Sequence, residues 1–341
     1  MKMLKTLSAL SILLVFLATD AQAQTIFKIA TIVPENSSWV ADMRKGAAEI
    51  DQRTEGRVKF KFYTGGVQGT DNQVRRKIRI GQLHGGAFTS GSLRHFQPNV
   101  ELYGLPMVFK SWEEVMFVRR HMDDRLRTLI EEAGYVNFGI AGGGFAYIMS
   151  NRPISNLDNM ESRKIWIPEG DKSAYGALKA LGITPVTLPV TDVLTGLQTN
   201  LVDTVMGPAV GAIVLQWHTV VKHITDLPIA YIYGMLVIDG KAFNRISAMD
   251  RQVVREVMEA VYRNFDETGM AKGREAFQAL LDDGLKLVPV DAGEAREWIR
   301  LVIVSNRRIA NDSELNVALL DQMDCYLTAY RSNSSDINCA Q

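Results

Sequence analysis

Few residues of this chain have the type and spacing that covalent chemistry needs. No Gly-x-Ser-x-Gly elbow presents a serine, and no His-Glu-x-x-His pair offers two imidazoles to zinc on one helix face. The five histidines, His84, His95, His121, His218 and His223, are scattered without a recognisable partner, and no His or Cys cluster has metal-ligand spacing. Carboxylates occur in adjacent pairs, Glu113/Glu114, Asp123/Asp124 and Asp282/Asp283. Neighbours on a helix point about 100° apart and do not converge on one substrate atom, so these pairs are expected on solvated faces. Gly65-Gly66-x-x-Gly69 lacks the spacing of a dinucleotide loop, no Gly-Lys-Ser/Thr follows it, and Gly142-Gly143-Gly144 runs into Phe145 without opening a helix. Both read as tight turns at which a ligand can approach the backbone. What remains is non-covalent binding: no enzyme, no cofactor and no metal is expected.

Composition narrows the ligand class from the other side. The 38 basic and 38 acidic side chains give a formal net charge of +0, whereas a nucleic-acid binder needs a basic surplus on at least one face. A hydrophobic share of 47% and a charged share of 22% describe a soluble globular chain. Its 341 residues suggest two domains.

Residues 1–23 read as an export signal. Lys2 and Lys5 precede an apolar run, Leu7 to Leu17, and Ala21-Gln22-Ala23 is a small-x-small cleavage site, so the mature chain is expected to begin at Gln24. The run is shorter than the roughly 20 residues of a membrane span, and no later segment reaches that length free of charges and breakers. The expected product is a soluble exported protein, not membrane-embedded. In an oxidising compartment Cys325 and Cys339 are predicted to bridge and fasten the tail to the final helix, the alternative being two free thiols.

The elements that must position any site alternate between strand and helix, which favours an α/β architecture. Thr25 to Ile32 is a strand, and Ser37 or Ser38 caps a helix carrying Trp39, Met43 and Ala47. Val58, Phe60 and Phe62 alternate with Lys59, Lys61 and Tyr63, a strand with one wet face. A helix through Val74, Ile78 and Ile80 follows, then a strand ending in Thr89-Ser90-Gly91-Ser92. Beyond Ser150 come strands at Ile165 to Ile167, Thr184 to Leu188 and Val202 to Met206, with helices over Asp171 to Leu181 and Thr191 to Asn200. Tyr231 to Ile238 is a buried strand leading back to the first domain. Ser247 to Asp283 keeps helical spacing throughout and is long enough to lie across two domains, with a bend or break expected at Gly269 or Gly273.

Several stretches resemble the solute-binding subunits of TRAP transporters, the DctP-type periplasmic receptors. The most specific is Lys179-Ala180-Leu181-Gly182-x-x-Pro185-Val186 followed by Leu197-Gln198-Thr199-Asn200-x-Val202-Asp203. Gly65-Gly66-Val67-Gln68-Gly69, Gly91-Ser92-Leu93, Leu105 to Phe109, Asn151-Arg152-Pro153-Ile154 and Lys164 to Pro168 fit in order. The resemblance implies an α/β, two-domain periplasmic-binding-protein-like fold with a hinge, a central cleft and a long helix bridging both domains. Residues 24–149 and 239–310 are expected to form a discontinuous first domain, 150–238 the second, and 311–341 a C-terminal helix and tail. It also implies a receptor, monomer or homodimer, that closes around a small molecule and delivers it to membrane permease subunits.

The cleft departs from its family. By resemblance, an Arg that clamps a carboxylate belongs where Trp166 stands and a second Arg where Ala146 stands. A Glu-Asn-Pro run is replaced by Met206-Gly207-Pro208, and an aromatic position falls on Val190. An unpaired carboxylate would then lose several kcal/mol on desolvation, whereas apolar surface gains about 25 cal/mol per Å². The ligand is therefore expected to be largely apolar or neutral. Trp166 reads either as a core residue or as a wall of the cleft; Phe145 and Tyr147 extend that wall, one of them facing the cleft, and Trp39 is a further wall residue. Gln68, Asp71, Thr89 and Ser90, at strand ends, supply polar contacts. Arg94, Arg152 and Arg163 are the cations left that could replace the clamp, so an organic-acid receptor with a relocated Arg stays open, as does a carrier or sensor of a hydrophobic molecule that works without a permease.

Overall fold

The computed structural model describes residues 24–312, 315–334 and 338–339; the expected signal segment, residues 1–23, lies outside them, as does part of the tail. Eleven strands are described: β1 (Thr25–Thr31), β2 (Val58–Tyr63), β3 (Gly85–Thr89), β4 (Tyr135–Asn137), β5 (Ala141–Ser150), β6 (Trp166–Pro168), β7 (Val186–Leu188), β8 (Thr204–Pro208), β9 (His223–Thr225), β10 (Ala230–Asp239) and β11 (Lys286–Val288). The helices used below are α1 (Ser38–Arg53), α2 (Asp71–Arg79), α3 (Trp112–Glu132), α4 (Lys172–Ala180), α5 (Ala209–Val214), α6 (Ala248–Asp282), α7 (Ala292–Asp312) and α8 (Val317–Arg331).

One nine-stranded sheet runs β11-β9-β5-β10-β3-β1-β2, with β4 also on β10 and β8 also on β5. β6 and β7 form a separate parallel pair, joined to β8 by a bridge between Ile165 and Thr204. β1 takes β2 and β3 as parallel neighbours, and β10 returns antiparallel to β3. β5 and β10 are the two long strands, and they tie the halves together: β10 pairs with β3 and β4 through its C-terminal part, and β5 with β8 and β9 through its own. Both faces of β10 are covered, since Met235 and Val237 enter one core and Leu236 and Ile238 another. That double burial is why its sequence is a continuous apolar run.

The first half is packed on two faces, by α2, α3 and α8 on one and by α1 and the first part of α6 on the other. The second half has its own two cores. Ile165 and Ile167 enter the one built on α4 and α7, and Trp166 enters the one holding Val193, Leu197 and Trp217. α6 is continuous over 35 residues, about 52 Å. Val254 to Phe265 pack on α1 and β1, while Leu280, Ala276 and Phe277 join the second half. The expected break at glycine is absent: a Cβ on Gly269 would lie 2.5 Å from the carbonyl oxygen of Gly142, so this glycine lets helix and strand touch. Ser247 caps α6 by accepting from Asp250 N at 3.0 Å, but the Asp250 carboxylate turns to Arg57 at 2.9 Å rather than completing a capping box.

Four expectations are corrected. Gly142 to Gly144 are not a turn but part of β5, where Gly144 adopts φ +93° beside an irregularity in the β5–β10 register and a Cβ on Gly142 would meet Trp112 at 2.6 Å. Residues 286–302 pack with the second half, Trp298 and Val302 lying against Ile165 and Leu178, although 239–310 were placed in the first; Ala310 returns to the first-half core. Glu114 and Asp123 are not on a solvated face: Glu114 is buried and receives Arg331 at 2.7 and 2.8 Å, and Asp123 receives Arg119 at 2.8 Å and the Tyr103 hydroxyl at 2.9 Å. Ile80 ends up exposed just beyond α2. The predicted bridge between Cys325 and Cys339 is present, with Cys339 buried against the α3–α8 core.

Candidate ligand cleft

A cavity of about 230 Å³ opens between the two halves, at the C-terminal ends of β1, β3 and β6. Strand ends of an open α/β sheet gather loops and helix starts from both sides, which is why ligand sites form there. From the first half, Ser37 caps α1 through a bond from Val40 N at 3.2 Å, and this places Trp39 in the first turn. Its indole stacks on Phe265 of α6 at 5.4 Å and 17° and lines the cavity. Thr70 and Gln73 form a complete capping box, which sets Asp71 at the head of α2, where Ser92 donates to Asp71 Oδ2. Thr89 and Ser90 complete this side.

From the second half comes an aromatic corner. Trp166 is 2% exposed, donates Nε1 to Leu188 O at 3.0 Å, and meets Trp217 edge-on at 5.2 Å and 68°. The core and wall readings of this residue are therefore both right, because its ring is buried yet borders the cavity. Gly207 makes room for the corner: a Cβ there would lie 2.8 Å from Trp217 Cζ3. Met206, Val190, Val210 and Val214 continue the apolar surface. The lips meet at Gly66, where a Cβ would fall 2.6 Å from Thr191 Cγ2.

The polar side of the cavity is acidic. Asp71, Glu169 and Asp171 line it with His95, and among the described residues none of the lining is Arg or Lys. Burial holds Asp71 and Asp171 above the usual carboxylate range; Ser92 pulls Asp71 partly back, as do the Ala174 amide, which Asp171 caps at 2.8 Å, and the charge of Arg94 for Asp171. Burial pushes His95 down, helped by the charges of Arg75, Arg94 and Lys172. No group of three or more metal-binding side chains occurs among the described residues.

Of the residues singled out from sequence, Trp39, Asp71, Thr89, Ser90, Trp166, Val190, Met206 and Gly207 meet in the cavity. Phe145, Ala146, Tyr147 and Gln68 do not line it. Ala146 is buried between Pro208 and Ala230 in the sheet. Phe145 and Tyr147 are two apart and so share a face of β5, which rules out the expected division between cleft and core. Phe145 packs on Tyr231 at 6.0 Å, and Tyr147 packs on Phe277 of α6 at 4.8 Å. Gln68 is folded back onto α2 by Lys77 Nζ, at 2.9 Å to its carbonyl and 3.0 Å to Oε1. Arg94 is buried on Glu101 at 2.9 Å, Arg163 lies toward Asp203 at 3.9 Å, and neither these nor Arg152 reaches the cavity lining. Sequence reasoning missed Trp217, Glu169 and Asp171. Trp217 carries no local signal, whereas Glu169 and Asp171 follow directly on β6 and open α4, a strand-end position that the same rule would have found.

A family model described as bacterial extracellular solute-binding protein, family 7, matches residues 29–311. A solute-binding protein of Sulfitobacter sp. (strain NAS-14.1) is 26% identical over 286 residues, 82% of each chain. The sialic acid-binding periplasmic protein SiaP of Vibrio cholerae is 20% identical over 298 residues, 86% of this chain and 92% of its own. Among solved structures, a TRAP periplasmic solute-binding protein from Shewanella oneidensis with bound succinate superposes with a TM-score of 0.81 at 18% identity, over 90% of this chain and 99% of that one.

Proposed function

This chain belongs to the bacterial extracellular solute-binding proteins of family 7, and we propose that it is the periplasmic receptor of a TRAP-type transporter whose ligand is a small, largely apolar or neutral molecule. The observation that carries the proposal is the lining: Trp39, Trp166 and Trp217 wall the cavity, and no Arg or Lys stands among its described lining residues. Succinate, held by the Shewanella receptor, would here be desolvated with no cation to pair it, at a cost of several kcal/mol.

The two halves close about a hinge that we place where β5 and β10 cross between them, with α6 bracing both, so that ligand contacts to each half favour the shut state. The loaded receptor then passes its ligand to permease subunits, and the signal segment is removed after Ala23 when the chain is exported. Three tryptophans at the cavity make binding readable by their fluorescence. Titration with 2-phenylethanol and with succinate decides the matter. Saturable quenching or enhancement by the neutral aromatic, with none by succinate, is expected. Micromolar succinate binding without any affinity for the aromatic would overturn the proposal.

A further inference from the structure

The polar end of the cleft has a charge pattern that an apolar ligand alone leaves unused. Asp71 belongs to the first half and Glu169 and Asp171 to the second, yet they border the same cavity. The two aspartates border one turn at consecutive residues, and Glu169 is the carboxylate whose charge acts on Asp71. Ser92 donates to Asp71 Oδ2, and a Cβ on Gly91 would lie 3.2 Å from Asp171 Oδ2. The other oxygen of Asp171 is committed to the Ala174 amide, so Oδ2 is the one turned to the Gly91 side of the cleft. Arg94, whose charge reaches Asp171, is paired with Glu101 at 2.9 Å and is not part of the lining.

Carboxylates contributed from opposite halves repel one another as the halves approach. A cation held between them turns that repulsion into attraction, and only in the closed state, which is the differential affinity that a closing receptor requires. The aromatic faces of Trp39, Trp166 and Trp217 suit the remainder of such a ligand, since indole faces attract a cation's field as well as apolar surface. A further observation points to a bound molecule. Trp217 is 3% exposed, borders the cavity, and its buried Nε1 has no hydrogen-bond partner among the described residues. Buried donors are ordinarily paired, so an acceptor on the ligand body would satisfy it.

We propose that the ligand is an amphipathic amine: a protonated nitrogen seated between Asp71 and Asp171, with an aromatic or aliphatic body against the tryptophan corner. The inference rests on the apolar-cleft reading above and adds the charge of the head group. It accounts for the absence of a clamp arginine among the described lining residues by a reversal of polarity rather than by a simple loss of charge. Burial keeps both aspartates easier to protonate when the cleft is empty, and an incoming ammonium ion would hold them ionised.

The test is a three-probe calorimetric titration at neutral pH with 2-phenylethylamine, 2-phenylethanol and 3-phenylpropionate, which share a body and differ in head-group charge. The amine is expected to bind roughly tenfold or more tighter than the alcohol. Asp71→Asn and Asp171→Asn should each lower the ratio of amine to alcohol affinity toward one, whatever their effect on the alcohol itself. Asparagine keeps an acceptor for Ser92 at position 71 and remains a good helix cap at 171, and melting curves of both variants check that they fold. Glu169→Gln, on a side chain with no structural bond among those described, provides a variant free of packing effects. Equal affinity for amine and alcohol overturns this inference and leaves the apolar-cleft reading standing. Tightest binding by 3-phenylpropionate overturns both. Failure of all three probes to bind at millimolar concentration overturns the amine assignment.

Discussion

Gly207→Ala tests the construction of the aromatic corner with a single methyl group. The new Cβ would stand 2.8 Å from Trp217 Cζ3, where ordinary contact begins at 3.4 Å. Either the ring or β8 must therefore give by about 0.6 Å. Neither is free to do so: Trp217 is 3% exposed and edge-on to Trp166, Trp166 is tied by Nε1 to Leu188 O, and Gly207 is paired with Tyr147 in the sheet. Overpacking of this kind costs about 1–3 kcal/mol, or roughly 1.5–5 °C in melting temperature for a chain of this size. The assay is thermal unfolding followed by circular dichroism, with tryptophan emission recorded on the folded protein, because two of the five tryptophans share the strain. Gly273→Ala is the control. Nothing lies within 4 Å of a Cβ there, so alanine should raise stability by up to about 1 kcal/mol through helix propensity. A Gly207→Ala protein that melts at or above the parent, with unchanged emission, refutes the claim that this glycine exists to seat Trp217.

Gly66→Ala should weaken binding of the cleft probes severalfold and lower stability by about 1–2 kcal/mol, since the residue combines φ +71°, which strains alanine, with a 2.6 Å approach to Thr191 across the lips; unchanged titrations would show that the lips need not meet. Reducing the Cys325–Cys339 bridge, which closes a loop of sequence separation 14, should lower stability by about 3 kcal/mol in the chain-entropy model, measured as the melting temperature with and without reductant. Asp250→Asn should lower the melting temperature by roughly 2–4 °C at pH 7. Arg57 and Ser247 hold the Asp250 carboxyl below its ordinary range, so its contribution is present above about pH 4 and fades as pH falls through the folded value. The gap between parent and variant should therefore narrow in acid, and a gap that does not shrink at all between pH 5 and about pH 2 contradicts the pairing.

Much of the fold was readable because its signals are local. The alternation at Val58 to Tyr63, the uninterrupted apolar run of β10 and the 3.6-residue spacing of α6 each follow from which faces are buried. The errors fall where a tertiary contact outweighs a local rule. Glycine in a helix normally predicts a weak point, but Gly269 is kept small by the Gly142 carbonyl. Paired carboxylates normally predict a wet face, but Glu114 is reserved for Arg331, which lies 217 positions away and arrives only when α8 docks on α3. The assignment of residues 286–302 failed for a similar reason: nothing in β11 announces that it pairs with β9 rather than continuing the first half.

The site divides along the same line, and the division bears on its chemistry. Read singly, Trp166, Met206 and Gly207 are losses of a charged or polar contact. In three dimensions Trp166 and Gly207 are two parts of one assembly whose third part, Trp217, no local pattern reveals. The indole at 166 needs its edge-on partner, and the partner needs a residue without Cβ at 207. An arginine placed at 166 alone would meet the ring of Trp217 and lose the bond to Leu188 O, so the acid-binding cleft implied by the family is not one substitution away. At the polar end of the cavity Asp71 comes from the first half and Glu169 and Asp171 from the second, and no Arg or Lys stands among the described lining residues. On the reading proposed above, the aromatic corner withholds the cation that a carboxylate needs and the acidic groups supply like charge, so both features favour the same alternative, a molecule with an apolar body and a positive end.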